Sequence, residues 1–349
     1  MLQVIFSHIY CLGKATFNKT ASISNGLAIR VANLALFCFN SITQFFRSHD
    51  GFTINSAKIW TNADAVSMYN ENIKAIMAGG YTNSKGVHVQ LRDGKYLYSQ
   101  SQWFPPCAEI PLIENKYSTT TCYVKSQDCL EMAQEYVLNG FKTVVLNFAS
   151  PIEPGGGMAE VMGSQEEDIC RRSELLDFMN DQLDKFFKNE NGCFFPLNTP
   201  DKQGGLIHTS DVKVFRASRT HTFNFLDEPF QVGILSSPAI VKPALQNTND
   251  GFVDFTHDEI REQVKILIRT QLKAAYENGY EALVLGAFGC GAFNNPPDAI
   301  AKIYHELINS EFKGAFKLIG FAILDDPYRG KHNPQGNLRP FQHYFSHSS

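Results

Sequence analysis

Two apolar runs constrain the fold of this chain most: TVVLNF at 143–148 and ALVLGA at 282–287. Nearly every position in them is apolar, which predicts strands buried on both faces, as in the core of a parallel sheet. Further strands are predicted at 119–124, at 232–236 and at 317–323, and Val87, Val89 and Leu91 alternate as in a strand. Helical periodicity fills the gaps. Val66, Tyr69, Ile73, Ile76 and Met77 share one helical face, and Gly79-Gly80 stops that helix. Residues 128–138, Gln165 to about Phe187, His257 to Asn278, and Pro297 to about Ile308 are also predicted helices. Buried strands alternating with helices predict an α/β fold with a mixed, largely parallel central sheet. The stretch from Phe194 to about His208 reads as a long loop, of the kind that often carries function.

Residues 1–56, with Phe-rich and Ser/Asn-rich pieces, are expected to form an N-terminal helical extension packed on a main domain of 57–349. Within the extension, Leu27–Phe39 is apolar but interrupted by Arg30 and Asn33, too short and too polar for a membrane span. Met1–Leu12 has no charged start followed by an apolar core, so no secretory signal is read there. A net charge of −4 and the absence of a Lys/Arg run exclude recognition of nucleic acid by bulk positive charge. The eight cysteines form no CxxC pair, which fits reduced thiols better than a disulfide frame or a zinc site. These features point to a cytoplasmic or otherwise intracellular protein, and delivery as a secreted effector fits them too. The sequence is silent on oligomeric state.

In sheets of this type ligands bind beyond the carboxyl ends of the strands. Two predicted strands end in glycine-rich turns that lead into helices: VVLNFASPIEPGGGM and LVLGAFGCGAFNNPP. Glycine lets backbone approach a ligand closely, and exposed N–H groups can cradle an anion. Neither loop has the Lys and Ser/Thr of a P-loop or a well-placed G-x-G-x-x-G. Two such loops suggest a ligand with two phosphates. Glu166 and Glu167 follow the Gly155–Gly157 triplet closely, at the start of a predicted helix. The helix dipole alone favours acids there. Beside a diphosphate-binding loop, however, a carboxyl is suited to glycosidic hydrolysis, protonating the leaving atom and then activating water. Adjacent helical residues point about 100° apart. One glutamate is therefore expected at the scissile bond and the other on sugar hydroxyls.

These residues resemble a known family. GGG, a spacer of seven residues, then QEE is similar to the signature of poly(ADP-ribose) glycohydrolases of the microbial type. AGGYTNSKGVHVQL at 78–91, HTSDVKVFR at 208–216, VGILSSPA at 232–239 and LGAFGCGAFNNPPDAIAKIY at 285–304 extend the resemblance over roughly residues 57–345. The resemblance implies a macrodomain-like three-layer α/β/α fold that binds ADP-ribose, with no cofactor and no metal. It implies that Glu167 is the catalytic acid/base and that Glu166 places the ribose. Gly155, Gly156 and Gly157 would form the catalytic loop. Gly289, Cys290, Gly291, Ala292 and Phe293 would wrap the diphosphate, with Phe293 packing on the ligand. Gln165, Asn147 and Ser150 are further candidate substrate contacts, although Asn147 and Ser150 could equally cap the turn. IEP before the glycines is a local variation. SSPAIVKPAL lacks an Asn common in microbial relatives, which puts that loop's contacts in doubt.

The expected activity is hydrolysis of the 1″ glycosidic bond of poly(ADP-ribose) or of ADP-ribose on protein. A hydrolase restricted to mono-ADP-ribosylated proteins and a non-catalytic ADP-ribose-binding module are the alternatives. Arg171 and Arg172 are expected on a solvated helix face or paired with Glu174. Cys290, with no His nearby in sequence, is expected to be a small loop residue and not a nucleophile. Asp325-Asp326 reads as a helix or turn cap. His343 and His347 could share a helix face, but no neighbouring ligand completes a zinc site. His208 and His257 stand isolated.

Overall fold

The computed structural model describes residues 60–151, 153–159, 163–179, 205–249, 251–324 and 329–345. The 1–56 extension, Asp325-Asp326 and His347 lie outside the described residues, as do 180–187 of the helix expected from Gln165. The strands are β1 (Gly80–Thr82), β2 (His88–Gln90), β3 (Ser101–Phe104), β4 (Thr121–Lys125), β5 (Thr143–Phe148), β6 (Leu206–Arg216), β7 (Phe225–Ser237), β8 (Leu245–Asn247), β9 (Val253–Phe255), β10 (Ala282–Leu285) and β11 (Leu318–Ala322). The helices are α1 (Asn62–Met77), α2 (Gly94–Ser99), α3 (Cys129–Leu138), α4 (Gln165–Arg172), α5 (Asp258–Glu277), α6 (Pro297–Asn309) and α7 (Leu338–Phe345).

Seven strands form the central sheet in the order β3-β6-β7-β5-β10-β11-β4. From β7 to β4 all neighbours run parallel, and β6 and β3 continue the sheet with antiparallel pairings. The side chains of β5 show why its run is apolar throughout. Val144 and Leu146 join one core with Ile268 and Leu272 of α5 and Ile300 and Tyr304 of α6. Val145 joins a second core with Leu130 and Ala133 of α3 and Ile169 of α4. The sheet is thus covered on both faces, giving three layers. Each large aliphatic side chain so buried contributes about 1.5–3 kcal/mol.

The expected strands and helices recur with ends shifted by a few residues, with three exceptions. The helix from Gln165 is broken after Arg172, because Ser173 is extended (φ −141°, ψ 166°) and bridges Val214 of β6, and a short helical segment resumes at Leu175–Asp177. Of the expected loop from Phe194 to about His208, residues 194–204 lie outside the described residues and Leu206 onward is strand. The alternation of β6 is broken by a register shift between Thr209 and Val212, where Asp211 has φ +55°. The face of α1 is also rotated from the one read in the sequence. Val66 and Met77 are exposed, while Ala65, Met68, Asn72, Ala75 and Ile76 are buried. A polar residue sits on the inner face because Asn72 donates to the Arg171 carbonyl and accepts from Arg216.

The carboxyl ends of the adjacent parallel strands β7, β5 and β10 lie side by side, in register Val145–Val284 and Asn147–Ser236. Both glycine loops leave from this edge.

Candidate active site

The first loop leaves β5 at Phe148 and turns through the glycine triplet. Gly155 and Gly156 take left-handed backbone, φ +74° and +55°, which favours glycine. The Gly155 N–H donates to Oε1 of Glu166 (3.1 Å), and the Gly157 N–H to Oε1 of Glu167 (3.0 Å). The Gly156 N–H donates to the Glu153 carbonyl (2.9 Å). All three N–H groups expected to hold a ligand anion are therefore directed inward, two of them at the carboxylates. A Cβ on Gly156 would lie within 3.0 Å of the Glu167 carboxylate oxygen, closer than real Cβ contacts come. The bare backbone makes room for the glutamates.

Helix α4 begins on Ser164, and Glu167 at its third position accepts the Ser164 N–H (2.8 Å) and the Ser164 hydroxyl. This is half of a capping box. It leaves Glu167 half-buried, clasped between the helix start and the glycine loop. Glu166 is only 2% exposed. Its oxygens accept from the N–H groups of Ser150 (2.7 Å) and Gly155, and from Nδ2 of Asn147 (3.4 Å). Burial pushes its carboxyl up to about 8, against the pull of those donors and with help from the Glu167 charge. The two glutamates thus differ as the 100° offset requires: Glu166 faces the loop interior and Glu167 the rim.

Of the other expected contacts, Gln165 has its amide paired with the end of β5. It accepts the Phe148 N–H (2.9 Å) and donates to the Leu146 carbonyl (2.6 Å), so that it extends the strand's hydrogen bonding and anchors α4. Asn147 also donates to the Ser236 hydroxyl (3.2 Å), tying β5 to β7. Ser150 accepts the Glu153 N–H through its hydroxyl (3.1 Å). These residues build the glutamate cradle.

Arg171 and Arg172 are not on a solvated face: both are buried. Arg172 is paired with Asp128 (2.8 Å) and Asp168 (2.7 Å), and Arg171 donates to the Met158 carbonyl (3.1 Å). Glu174, the expected partner, is instead bonded to Arg92 and to the Lys213 N–H. The reason is packing. Once the helix stops at Arg172, its last turn lies under β6 and α3, and both guanidiniums need internal acceptors.

The second loop follows β10. Gly289 has φ +72°, and a Cβ there would meet Ala239 and Asn295. Asn295, fully buried, donates from Nδ2 to the carbonyls of Ile240 (2.7 Å), Gly289 (3.2 Å) and Phe293 (3.4 Å). The Lys242 N–H donates to the Phe293 carbonyl (2.8 Å). The SSPAIVK segment therefore braces this loop. Within the loop the N–H groups of Cys290, Asn294 and Asn295 are satisfied by the Ala287, Gly291 and Gly289 carbonyls. Those of Gly291, Ala292 and Phe293 have no carbonyl partner among the described residues, and Gly291 and Ala292 are exposed. Cys290 is buried, and burial pushes its thiol well up, so it is inert. His332, which the sequence reading passed over, donates from Nε2 to the Cys290 carbonyl (2.9 Å). Nothing in the local sequence marks His332, because its partner is a backbone carbonyl brought close by the fold.

A groove of about 380 Å³ opens elsewhere, beside Glu131, Arg216 and His221. It shares no residue with either glycine loop. His343 lies on α7 near the rings of Phe252 and Tyr344, and His208 bonds Tyr280.

Residues 70–217 match the family described as microbial-type PARG, catalytic domain, where PARG is poly(ADP-ribose) glycohydrolase. A search of curated protein sequences finds no match. Among solved structures, the poly(ADP-ribose) glycohydrolase of Thermomonospora curvata is 25% identical, with a TM-score of 0.66 over 81% of this chain and 100% of that one. The same enzyme bound to the inhibitor ADP-HPD gives a TM-score of 0.64 at 25% identity, covering 80% of this chain and 99% of the other. The Deinococcus radiodurans glycohydrolase in complex with ADP-ribose gives 0.58 at 25% identity, covering 74% and 99%. The family resemblance and the α/β fold class read in the sequence are both borne out.

Proposed function

We propose, from the microbial-type PARG catalytic domain that residues 70–217 match, that this chain is an ADP-ribose glycohydrolase with Glu167 as its acid/base. The relatives' complexes with ADP-ribose and with ADP-HPD support ADP-ribose as the moiety bound. The observation that carries the assignment of Glu167 is the clasp around it. Its carboxyl is fixed by Gly157 and Ser164 at the rim of the strand edge, while Glu166 is buried behind it.

The steps follow from that placement. The Glu167 carboxyl gives its proton to the leaving oxygen as the bond to C1″ breaks. Its carboxylate then faces the positive charge that develops on the ribose. It next takes a proton from water, whose oxygen bonds to C1″, and the acid is restored. The inward Glu166 fixes the glycine loop and the ribose pocket. The N–H groups of Gly291 to Phe293 receive the diphosphate, as backbone donors do in other anion sites. The substrates are poly(ADP-ribose) or ADP-ribose on a protein. The five described cysteines are free and buried, which supports a reducing, intracellular setting. Among the described residues no helix is long and apolar enough to cross a membrane.

The test is Glu167→Ala, assayed side by side on poly(ADP-ribose) and on a mono-ADP-ribosylated protein. Turnover should fall by roughly 10²–10⁴, the range of one acid/base group, while binding of free ADP-ribose persists. Wild-type turnover on both substrates would sink the mechanism.

A further inference from the structure

His332 lies 42 residues from Cys290 in sequence, is 6% exposed, and meets the second glycine loop from its buried side. A carbonyl can only accept, so Nε2 must carry the proton. The ring is seated by a compact turn. Gly330 leaves room for it, since a Cβ there would lie 2.9 Å from the ring, and the Gly330 N–H donates to Asn333 (2.6 Å). Asn333 is itself buried and donates to Asn337 (3.0 Å). A polar turn of the C-terminal segment is thus organised around a single donor, aimed at one peptide.

That peptide is Cys290–Gly291. It is trans and planar, so its C=O and N–H point in opposite directions. With the carbonyl held inward by His332, the Gly291 N–H must point outward, and Gly291 is exposed. We propose that His332 is a positioning residue for ADP-ribose: it fixes the Cys290–Gly291 peptide so that the Gly291 N–H faces the substrate diphosphate. This rests on the ADP-ribose reading above.

The experiment compares wild type, His332→Gln and His332→Met by calorimetry with ADP-ribose and by turnover of poly(ADP-ribose). Met fills the volume without a donor. It should weaken binding by roughly ten- to a hundredfold, the effect of one hydrogen bond to a charged group, and raise KM with kcat held. Gln offers an amide N–H and should recover most of the affinity. A folded Met variant that binds like wild type overturns the proposal. If that variant does not fold, amide NMR of ¹⁵N-labelled wild type decides. The Gly291 resonance should shift on saturation with ADP-ribose while the His332 ring stays protonated at Nε2, and an unmoved Gly291 overturns the proposal. Wild type that fails to bind ADP-ribose at all would instead overturn the functional reading beneath it.

Discussion

Gly156 and Gly291 are both glycines in site loops, but their surroundings set opposite demands. Gly156 has φ +55° and the Glu167 carboxylate over its Cα. Gly291 has ordinary φ, and a Cβ there would meet nothing within 4 Å. Gly156→Ala should cost about 1–2 kcal/mol from left-handed backbone alone and displace Glu167, so turnover should drop more than ADP-ribose affinity. Gly291→Ala should leave the melting temperature unchanged but weaken ADP-ribose binding by crowding the diphosphate. Thermal melts, turnover and calorimetry on both variants separate the two cases. An unchanged affinity in Gly291→Ala would deny the loop its role. The glycine positions are plain in the sequence. Their reasons are not, because the carboxylate that fills the space over Gly156 belongs to Glu167, in the helix that follows.

At the scale of elements, α4 holds both glutamates and Arg172 fixes it in place. One guanidinium spans Asp168 of its own helix and Asp128 at the start of α3, in a nearly buried cluster. Arg172→Met would leave two carboxylates facing one another without a cation. The expected loss is about 3–5 kcal/mol, as for other broken buried pairs, read as a lower urea midpoint. A midpoint within error of wild type would show the pair to be dispensable. The start of this helix is legible in the sequence, from the acids of its first turn. Its end is not. Ser173 leaves the helix to bridge Val214, and no local pattern announces a partner so far away. The same holds for β6, whose alternation is broken at Asp211 by a bulge that only the pairing with β7 defines.

For the whole molecule, buried titratable groups set the pH range of stability. Glu166 has its carboxyl raised from 4.5 to about 8 by burial. Folding therefore favours the protonated form, and its contribution is full below the ordinary value and is lost as pH rises from about 4.5 through 8. His208 is lowered from 6.5 to about 4, again by burial. Its contribution is full above 6.5 and is lost as pH falls toward 4. Urea midpoints measured from pH 4 to 9 should decline on both sides of a mildly acidic maximum. Glu166→Gln should flatten the alkaline limb only, and His208→Gln the acid limb only. Limbs that keep their slopes in the variants would refute these assignments.

The sequence by itself determined what depends on short spacing. Runs apolar on both faces specify strands that need a layer on each side. The glycine triplet and the QEE element mark where backbone must come close to carboxylates. The tertiary structure alone decided where the polar groups are directed. It turned two of the first loop's N–H groups onto the glutamates and left those of Gly291 to Phe293 without a carbonyl partner. It buried Arg171 and Arg172, and it brought His332 beneath Cys290. The physical reason is that burial and hydrogen-bond partnership depend on proximity in space, and pairings such as Arg172–Asp128 and His332–Cys290 close between segments distant in the chain.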